Sequence, residues 1–187
     1  MTGELGYALP PAIRRIATNF RLAGWVGFWA QIVVGVISSM MFVIFLMRPA
    51  TAVTSSKAGL GIFIAPALVV VFIGAFWGFR YTRFAQKMRT SNPDLRPKPK
   101  DAVRVVRIGL IISLVGMALS IMGAEASIAA LLERTLSQGP VVMGLPGNVS
   151  AFITTGDILP LFSVVNAMFT HFIGLCVSLW LEYIINR

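Results

Sequence analysis

The sequence predicts an all-α polytopic membrane protein, a bundle of four transmembrane helices arranged as two hairpins. Of its 187 residues, 57% are hydrophobic and 12% are charged, whereas soluble proteins carry roughly 25% charged residues. The apolar residues form long blocks, and a spanning helix needs about 20 such residues. A basic, proline-containing segment, residues 80–107, separates two halves of the chain that are nearly free of charge. Together these features favour two hairpins joined on one side of a membrane.

We divide the chain into an N-terminal interfacial segment, residues 1–21, and a four-helix transmembrane domain, residues 22–187. In the segment, apolar residues at helical spacing alternate with arginines, which predicts a short amphipathic helix lying on the membrane surface. The alternative is a frayed tail. The four spanning helices are expected at about residues 22–47, 59–79, 103–132 and 158–185.

The distribution of Lys and Arg predicts the orientation in the membrane. Residues 80–107 carry nine of the sixteen basic residues, and Pro93, Pro97 and Pro99 interrupt a continuous helix there. With both termini on the same side as this segment, that side holds thirteen basic residues and the other side holds three. Because cytoplasmic loops are enriched in Lys and Arg, we expect both termini in the cytoplasm and residues 133–157 on the opposite side. The positive charge is therefore assigned to membrane anchoring and not to nucleic acid binding.

The third helix carries a row of small residues. They alternate spacings of four and three and share about 80° of the helix circumference. Small residues allow a second helix backbone to come close, which is how membrane helices associate. We therefore predict a packing surface, to which two small residues of the fourth helix also belong; a pore lining is the alternative. The predicted packing residues are Gly109, Ser113, Gly116, Ser120, Gly123, Ser127, Gly174 and Ser178.

Two polar residues are expected inside the membrane, Gln31 in the first helix and His171 in the fourth. His171 is the only histidine, and it shares one helix face with Gly174 and Ser178. Ionisable groups at this depth are often functional, so His171 could relay a proton or bind a metal. The alternative, which we favour, is a neutral imidazole that is hydrogen-bonded to Gln31 or to a serine of the third helix.

Few residues are suited to metal binding or catalysis. Glu125, Glu133 and Asp157 on the outer side are weak candidate cation ligands together with His171; the alternative is that they are solvated carboxylates. A single cysteine excludes an internal disulfide and a paired-cysteine metal site. The chain contains no nucleophile elbow, phosphate-binding loop or metalloprotease motif. We therefore expect a protein that is not an enzyme and that needs no cofactor.

Three stretches carry a family resemblance: residues 59–88, with the string FWGFRYTR at 76–83, residues 107–124 and residues 166–181. They resemble the four-helix membrane proteins of cyanobacteria and plastids. The plant member of that family is the chloroplast inner-envelope protein described both as an iron permease and as a component of the protein-import translocon. The resemblance covers nearly all of the chain after Arg21.

The resemblance implies a permease component for metal ions, in particular iron; the alternative is a non-transporting accessory or scaffold subunit that binds other membrane complexes. Because four helices rarely enclose a pathway alone, we expect a homo-oligomer or a larger membrane complex, with the lipid bilayer as the general partner. We expect no plastid transit peptide at the start of the chain. We therefore expect a cyanobacterial member in the plasma or thylakoid membrane.

Overall fold

The computed structural model describes residues 11–48, 54–90, 96–137 and 155–186. These residues form four helices and no strand. The helices are α1 (Pro11–Met47), α2 (Thr54–Met88), α3 (Pro99–Ser137) and α4 (Thr155–Asn186). Each of them is long and apolar enough to cross a membrane. The predicted fold class, an all-α membrane protein with four spanning helices, is confirmed.

The helices follow one another around the bundle. α1 packs against α2 and α4, α3 packs against the same two helices, and α2 and α4 also touch across the diagonal. The start of α1 meets the end of α2, where Phe20 and Tyr81 form an edge-to-face ring pair with centroids 5.9 Å apart. Farther along α1, the carbonyl of Ser38 accepts a hydrogen bond of 2.7 Å from Ser163 near the start of α4. Neighbouring helices are therefore antiparallel.

Most of the apolar surface of the helices points outward. In the most apolar window of each helix, between 28% and 39% of the residues are buried inside the bundle. Large side chains such as Phe76, Phe169 and Trp29 are more than half exposed. In water such a surface would be strongly unfavourable, whereas a hydrocarbon environment solvates it without cost. The protein is therefore an integral membrane protein, with its outer faces turned to lipid.

The first two helices extend beyond the expected limits. Residues 11–21, expected as a separate surface segment, continue α1 without a break, while residues 1–10 lie outside the described part of the chain. Phe20 is fully buried, so the first turns of α1 pack against the rest of the bundle, at Tyr81 of α2. α2 continues for about two and a half turns beyond Phe79, because Tyr81 and Ala85 are buried on its inner face.

α3 and α4 are also longer than expected. Pro97 precedes α3, but Pro99 begins it and does not interrupt it, since the first helical position needs no backbone N–H. The Asp101 carboxylate accepts a hydrogen bond of 3.0 Å from the backbone N–H of Lys98, which stabilises this start. α4 begins at Thr155 and ends at Asn186. Pro93 and most of the expected outer loop, residues 138–154, lie outside the described residues.

The interior has an apolar cluster at each end. The cluster at the basic end joins all four helices and includes Phe20, Tyr81, Val106 and Leu181. The cluster at the other end draws on α1, α2 and α4, and it includes Ile64, Val71 and Val164. Between the two clusters lie buried polar side chains, and they are the chemically distinctive part of the core. We call Gln31, Ser113, His171 and Ser178, together with the hydroxyl group of Tyr81, the central polar layer.

Candidate functional site

Gln31 lies where all four helices meet. Its side chain is 5% exposed. A β-carbon placed on Gly74 of α2 would lie 2.9 Å from Gln31 Oε1, and one placed on Gly174 of α4 would lie 2.6 Å from both Gln31 Nε2 and Ser113 Oγ. If either glycine carried a β-carbon, the Gln31 amide or the Ser113 hydroxyl would have to move away. The amide of α1 therefore fills the space that two glycines leave free, next to a serine of α3.

Gln31 is also the least satisfied polar residue of the core. Within the described part of the chain, Oε1 is the buried side-chain oxygen that has no hydrogen-bond partner. It borders a cavity of about 10 Å³, which Tyr81, Ser113 and Ser178 also line. That is about the volume that one water molecule requires. The centre of the bundle is thus polar, but it is close to fully packed.

His171 is buried, as predicted, but the preferred hydrogen-bond partner is wrong. The ring is 2% exposed, and Nε2 lies 3.3 Å from the carbonyl oxygen of Ala67 in α2. The ring rests on α3 at Gly116, where any β-carbon would overlap it. Gln31 instead meets α4 at Gly174, three residues or about 4.5 Å along the axis. The helix periodicity placed Gln31 and His171 on inner faces, but it did not show at which level along the bundle each of them lies.

Tyr81 and Ser178 form a contact that the sequence interpretation missed. Their hydroxyl oxygens lie 3.1 Å apart in the interior, between α2 and α4. The Tyr81 hydroxyl also fills the space above Gly109 of α3, while Trp77 Nε1 donates a hydrogen bond of 2.9 Å to the carbonyl of Val105. Tyr81 was read as part of the basic segment because Arg80 and Arg83 flank it. The signal that could have revealed it is its spacing of four from Ala85, another apolar position.

The glycines of the α3 row each receive a large side chain. Gly109 faces Tyr81, Gly116 faces His171, and a β-carbon on Gly123 would lie 2.9 Å from a methyl group of Val164. The three serines of the row, Ser113, Ser120 and Ser127, are at most 4% exposed. Ser120 and Ser127 donate to the carbonyls of Gly116 and Gly123 in their own helix, at 2.8 and 2.7 Å. These hydroxyls are therefore satisfied locally, and the packing role of the row stays a prediction that substitution can test.

The candidate metal ligands are distributed over separate places. Asp157 forms an ion pair with Arg134, which ties the start of α4 to the end of α3. Glu125 and Glu133 are exposed on α3. Among the described residues, no three His, Cys, Asp or Glu side chains come together as a metal site. His171 could contribute at most one imidazole nitrogen, since Nε2 already faces the Ala67 carbonyl.

The arrangement supports hydrogen bonding and close helix packing. Imidazole, phenol, amide and hydroxyl groups are stacked through the middle of the bundle, and each large one is seated on a glycine of a neighbouring helix. Such buried polar groups fix the register of helices in lipid, because an unpaired polar group there is costly. The layer therefore orients the four helices relative to one another.

Comparisons with known proteins agree with this architecture. Residues 10–186 match the family described as "Protein of unknown function (DUF3611)". The chain is similar to "Protein TIC 21, chloroplastic" of Arabidopsis thaliana, with 26% identity over 173 residues. That alignment covers 89% of this chain and 56% of the plant protein, so the chain spans little more than half the length of this curated relative. No solved structure is significantly similar to the chain. The match over almost the whole bundle, α1 to α4, means that this integral membrane protein belongs to the DUF3611 family.

Proposed function

We propose that this protein is a component of a membrane permease for metal ions, with iron as the expected cargo, and that the permease is built from several copies or with a partner. The class of cargo comes from the family resemblance. The observation that supports the assembly is the packed centre of the bundle, where the cavity beside Gln31 measures about 10 Å³. An ion pathway therefore runs along the outside of the bundle, between units.

Glu125 supports a pathway on the outside. It is exposed on α3, between the exposed apolar residues Ile121, Met122 and Ile128. A carboxylate turned outward among apolar side chains is unfavourable in lipid, so contact with another unit or with water would relieve it. Carboxylate oxygens are ordinary ligands of iron and other cations. Glu125 is thus the residue of the described chain best placed to line a pathway between bundles.

Iron uptake into proteoliposomes that contain only this protein tests the proposal. We expect uptake by the wild type and equal uptake by His171→Gln, because a glutamine amide can also donate and accept hydrogen bonds. Glu125→Gln keeps the size of the side chain but removes its charge. It should lower uptake about tenfold or more, since even disturbing the groups that support a metal ligand typically costs 10- to 100-fold.

The opposite pattern would contradict the external pathway. Uptake that is lost in correctly folded His171→Gln and kept in Glu125→Gln would place the pathway inside the bundle. An absence of uptake by the wild type would favour the second candidate function, a non-transporting accessory or scaffold subunit. The seating of Tyr81, His171 and Gln31 on glycines supports that candidate also, because a rigid unit with apolar outer faces suits assembly with other membrane proteins.

We further propose that both termini and the basic segment face the cytoplasm, in the plasma or thylakoid membrane of a cyanobacterium. The basic residues support this orientation: Arg80, Arg83, Lys87 and Arg104 lie at the bundle end where α1 begins and α4 ends. Positive charge of this density next to a spanning helix is typical of the cytoplasmic side. The homologue in a chloroplast is consistent with a membrane of cyanobacterial type.

A further inference from the structure

A groove with an unusual combination of charge and aromatic surface lies on the outside of the bundle, between α2 and α3 at the basic end. Its volume is about 310 Å³, at the lower end of the range for ligand sites. Among the described residues, its lining includes three cations, Arg80, Arg83 and Lys87, and no Asp or Glu. We call it the basic groove. The three cations follow spacings of three and four, so they share one face of α2.

The apolar lining of the basic groove has a definite order along the helix. Phe76 is more than half exposed and lies one turn deeper in the membrane-spanning part than Arg80. Phe79 and Phe84 line the groove at the level of the arginines. From Phe76 to Lys87 the helix rises about 16 Å. Along this distance the surface changes from apolar to cationic, as a phospholipid changes from acyl chain to phosphate.

Stacking on aromatic rings holds the two arginines in place. The Arg80 guanidinium lies 4.4 Å from the centre of the Trp77 ring, and that of Arg83 lies 5.0 Å from the centre of the Phe79 ring. The hydrogen bond from Trp77 Nε1 to the Val105 carbonyl connects α2 to α3 beneath the groove. Cation–π contacts of this kind restrict long side chains while leaving their N–H groups free to donate. The site is therefore partly preorganised for an anion.

We propose that the basic groove binds the phosphate headgroup of an anionic membrane phospholipid, with an acyl chain lying along Phe76. Arg80 and Arg83 donate hydrogen bonds to the phosphate oxygens, and Lys87 adds a third positive charge on the aqueous side. Charge complementarity favours an anionic lipid over a zwitterionic one. The exposed Phe76 next to the cations favours a lipid over a free anion, because only a lipid has an acyl chain that can contact its ring. This site requires only a bilayer, so it stands independently of any transport activity.

Native mass spectrometry of the full chain in detergent, with phosphatidylglycerol and phosphatidylcholine as probes, tests the site. We expect the wild type to bind phosphatidylglycerol about tenfold more tightly than phosphatidylcholine, or more. Each Lys or Arg near a negatively charged surface raises the binding affinity by about a factor of five. The variant with Arg80→Gln, Arg83→Gln and Lys87→Gln should lose this preference. The matched control removes three exposed arginines of α1, with Arg14→Gln, Arg15→Gln and Arg21→Gln. It should keep the preference.

A second variant tests the groove without changing the charge. Val105→Trp should fill the space between α2 and α3 and abolish the preference, while the bond from Trp77 to the backbone carbonyl of residue 105 remains possible. If the triple groove variant fails to fold, as shown by circular dichroism, Val105→Trp alone decides the question. A preference kept in Val105→Trp, or lost equally in the α1 control, would assign lipid binding to diffuse surface charge. Complete displacement by millimolar inorganic phosphate would assign the groove to a free anion. Either outcome overturns the proposal.

Discussion

Replacing Gly116 with leucine is expected to disrupt the bundle. No side chain fits at this position, because a β-carbon there would overlap the ring of His171. α3 and α4 must separate or the imidazole must leave its site, and the contact between Nε2 and the Ala67 carbonyl is then lost. Overpacking costs about 1–3 kcal/mol, and a buried polar group left unpaired costs about as much again. We expect the melting temperature in detergent to fall on the order of 10 °C or more.

The control for this prediction is Ala118→Leu, which adds the same side chain on the exposed face of the same helix. It should melt close to the wild type. His171→Ala should partly rescue Gly116→Leu, because it removes the ring that blocks the new side chain. Equal destabilisation by Gly116→Leu and Ala118→Leu would mean that the row of small residues on α3 is not a packing surface.

The second large effect is expected at Gly24, where the main chains of α1 and α2 lie close together. A β-carbon on Gly24 would lie 2.7 Å from the carbonyl oxygen of Gly78 and 3.0 Å from the backbone nitrogen of Thr82. Both are main-chain atoms of α2, so no rotamer change can make room. Gly24→Ala should therefore destabilise the protein by about 1–3 kcal/mol in chemical or thermal unfolding, although alanine is by itself the better helix former.

Gly27→Ala is a closely matched control, three residues along the same helix. The nearest atom to its new methyl group would be a Val177 methyl carbon at 3.6 Å, an ordinary van der Waals contact. Here the gain in helix propensity, up to about 1 kcal/mol, should appear as unchanged or increased stability. If Gly24→Ala is as stable as Gly27→Ala, α1 and α2 are farther apart at Gly78 than the structure shows.

The number of helices could be predicted from the number and length of the apolar blocks, and the inner face of a helix from residues that recur with the helical period. Four apolar blocks of spanning length predict four helices, and the α3 row predicted which side of that helix turns inward. Ser113, Ser120 and Ser127 are all buried there. His171 and Gln31 were predicted inside the membrane on the same grounds, and both are buried in the core.

The heights at which helices meet, and several helix ends, could not be predicted in this way. Periodicity assigns a residue to a face but says nothing of the level of a neighbouring helix, so the pairings of His171 with Gly116 and of Gln31 with Gly174 required the tertiary structure. The first helix ends at Met47, as expected. The end of α2 and the start of α3 were misjudged, because charged residues were taken as the limits of these helices. α2 passes through Arg80 to Met88, since its inner face stays apolar while its outer face becomes basic.

Cysteine accessibility labelling in sealed membrane vesicles tests the central claim most directly: four helices span the membrane around a closed, packed centre. Single cysteines are introduced into a Cys176→Ala background at three sites: Gln86 at the exposed basic end, Thr135 at the exposed opposite end, and Ser113, which is 4% exposed in the central polar layer. A water-soluble, membrane-impermeant thiol reagent should modify Gln86→Cys only from the cytoplasmic side and Thr135→Cys only from the other side. It should modify Ser113→Cys from neither side until the protein is unfolded. Rapid modification of Ser113→Cys in the folded protein, or labelling of both ends from the same side, would contradict this account.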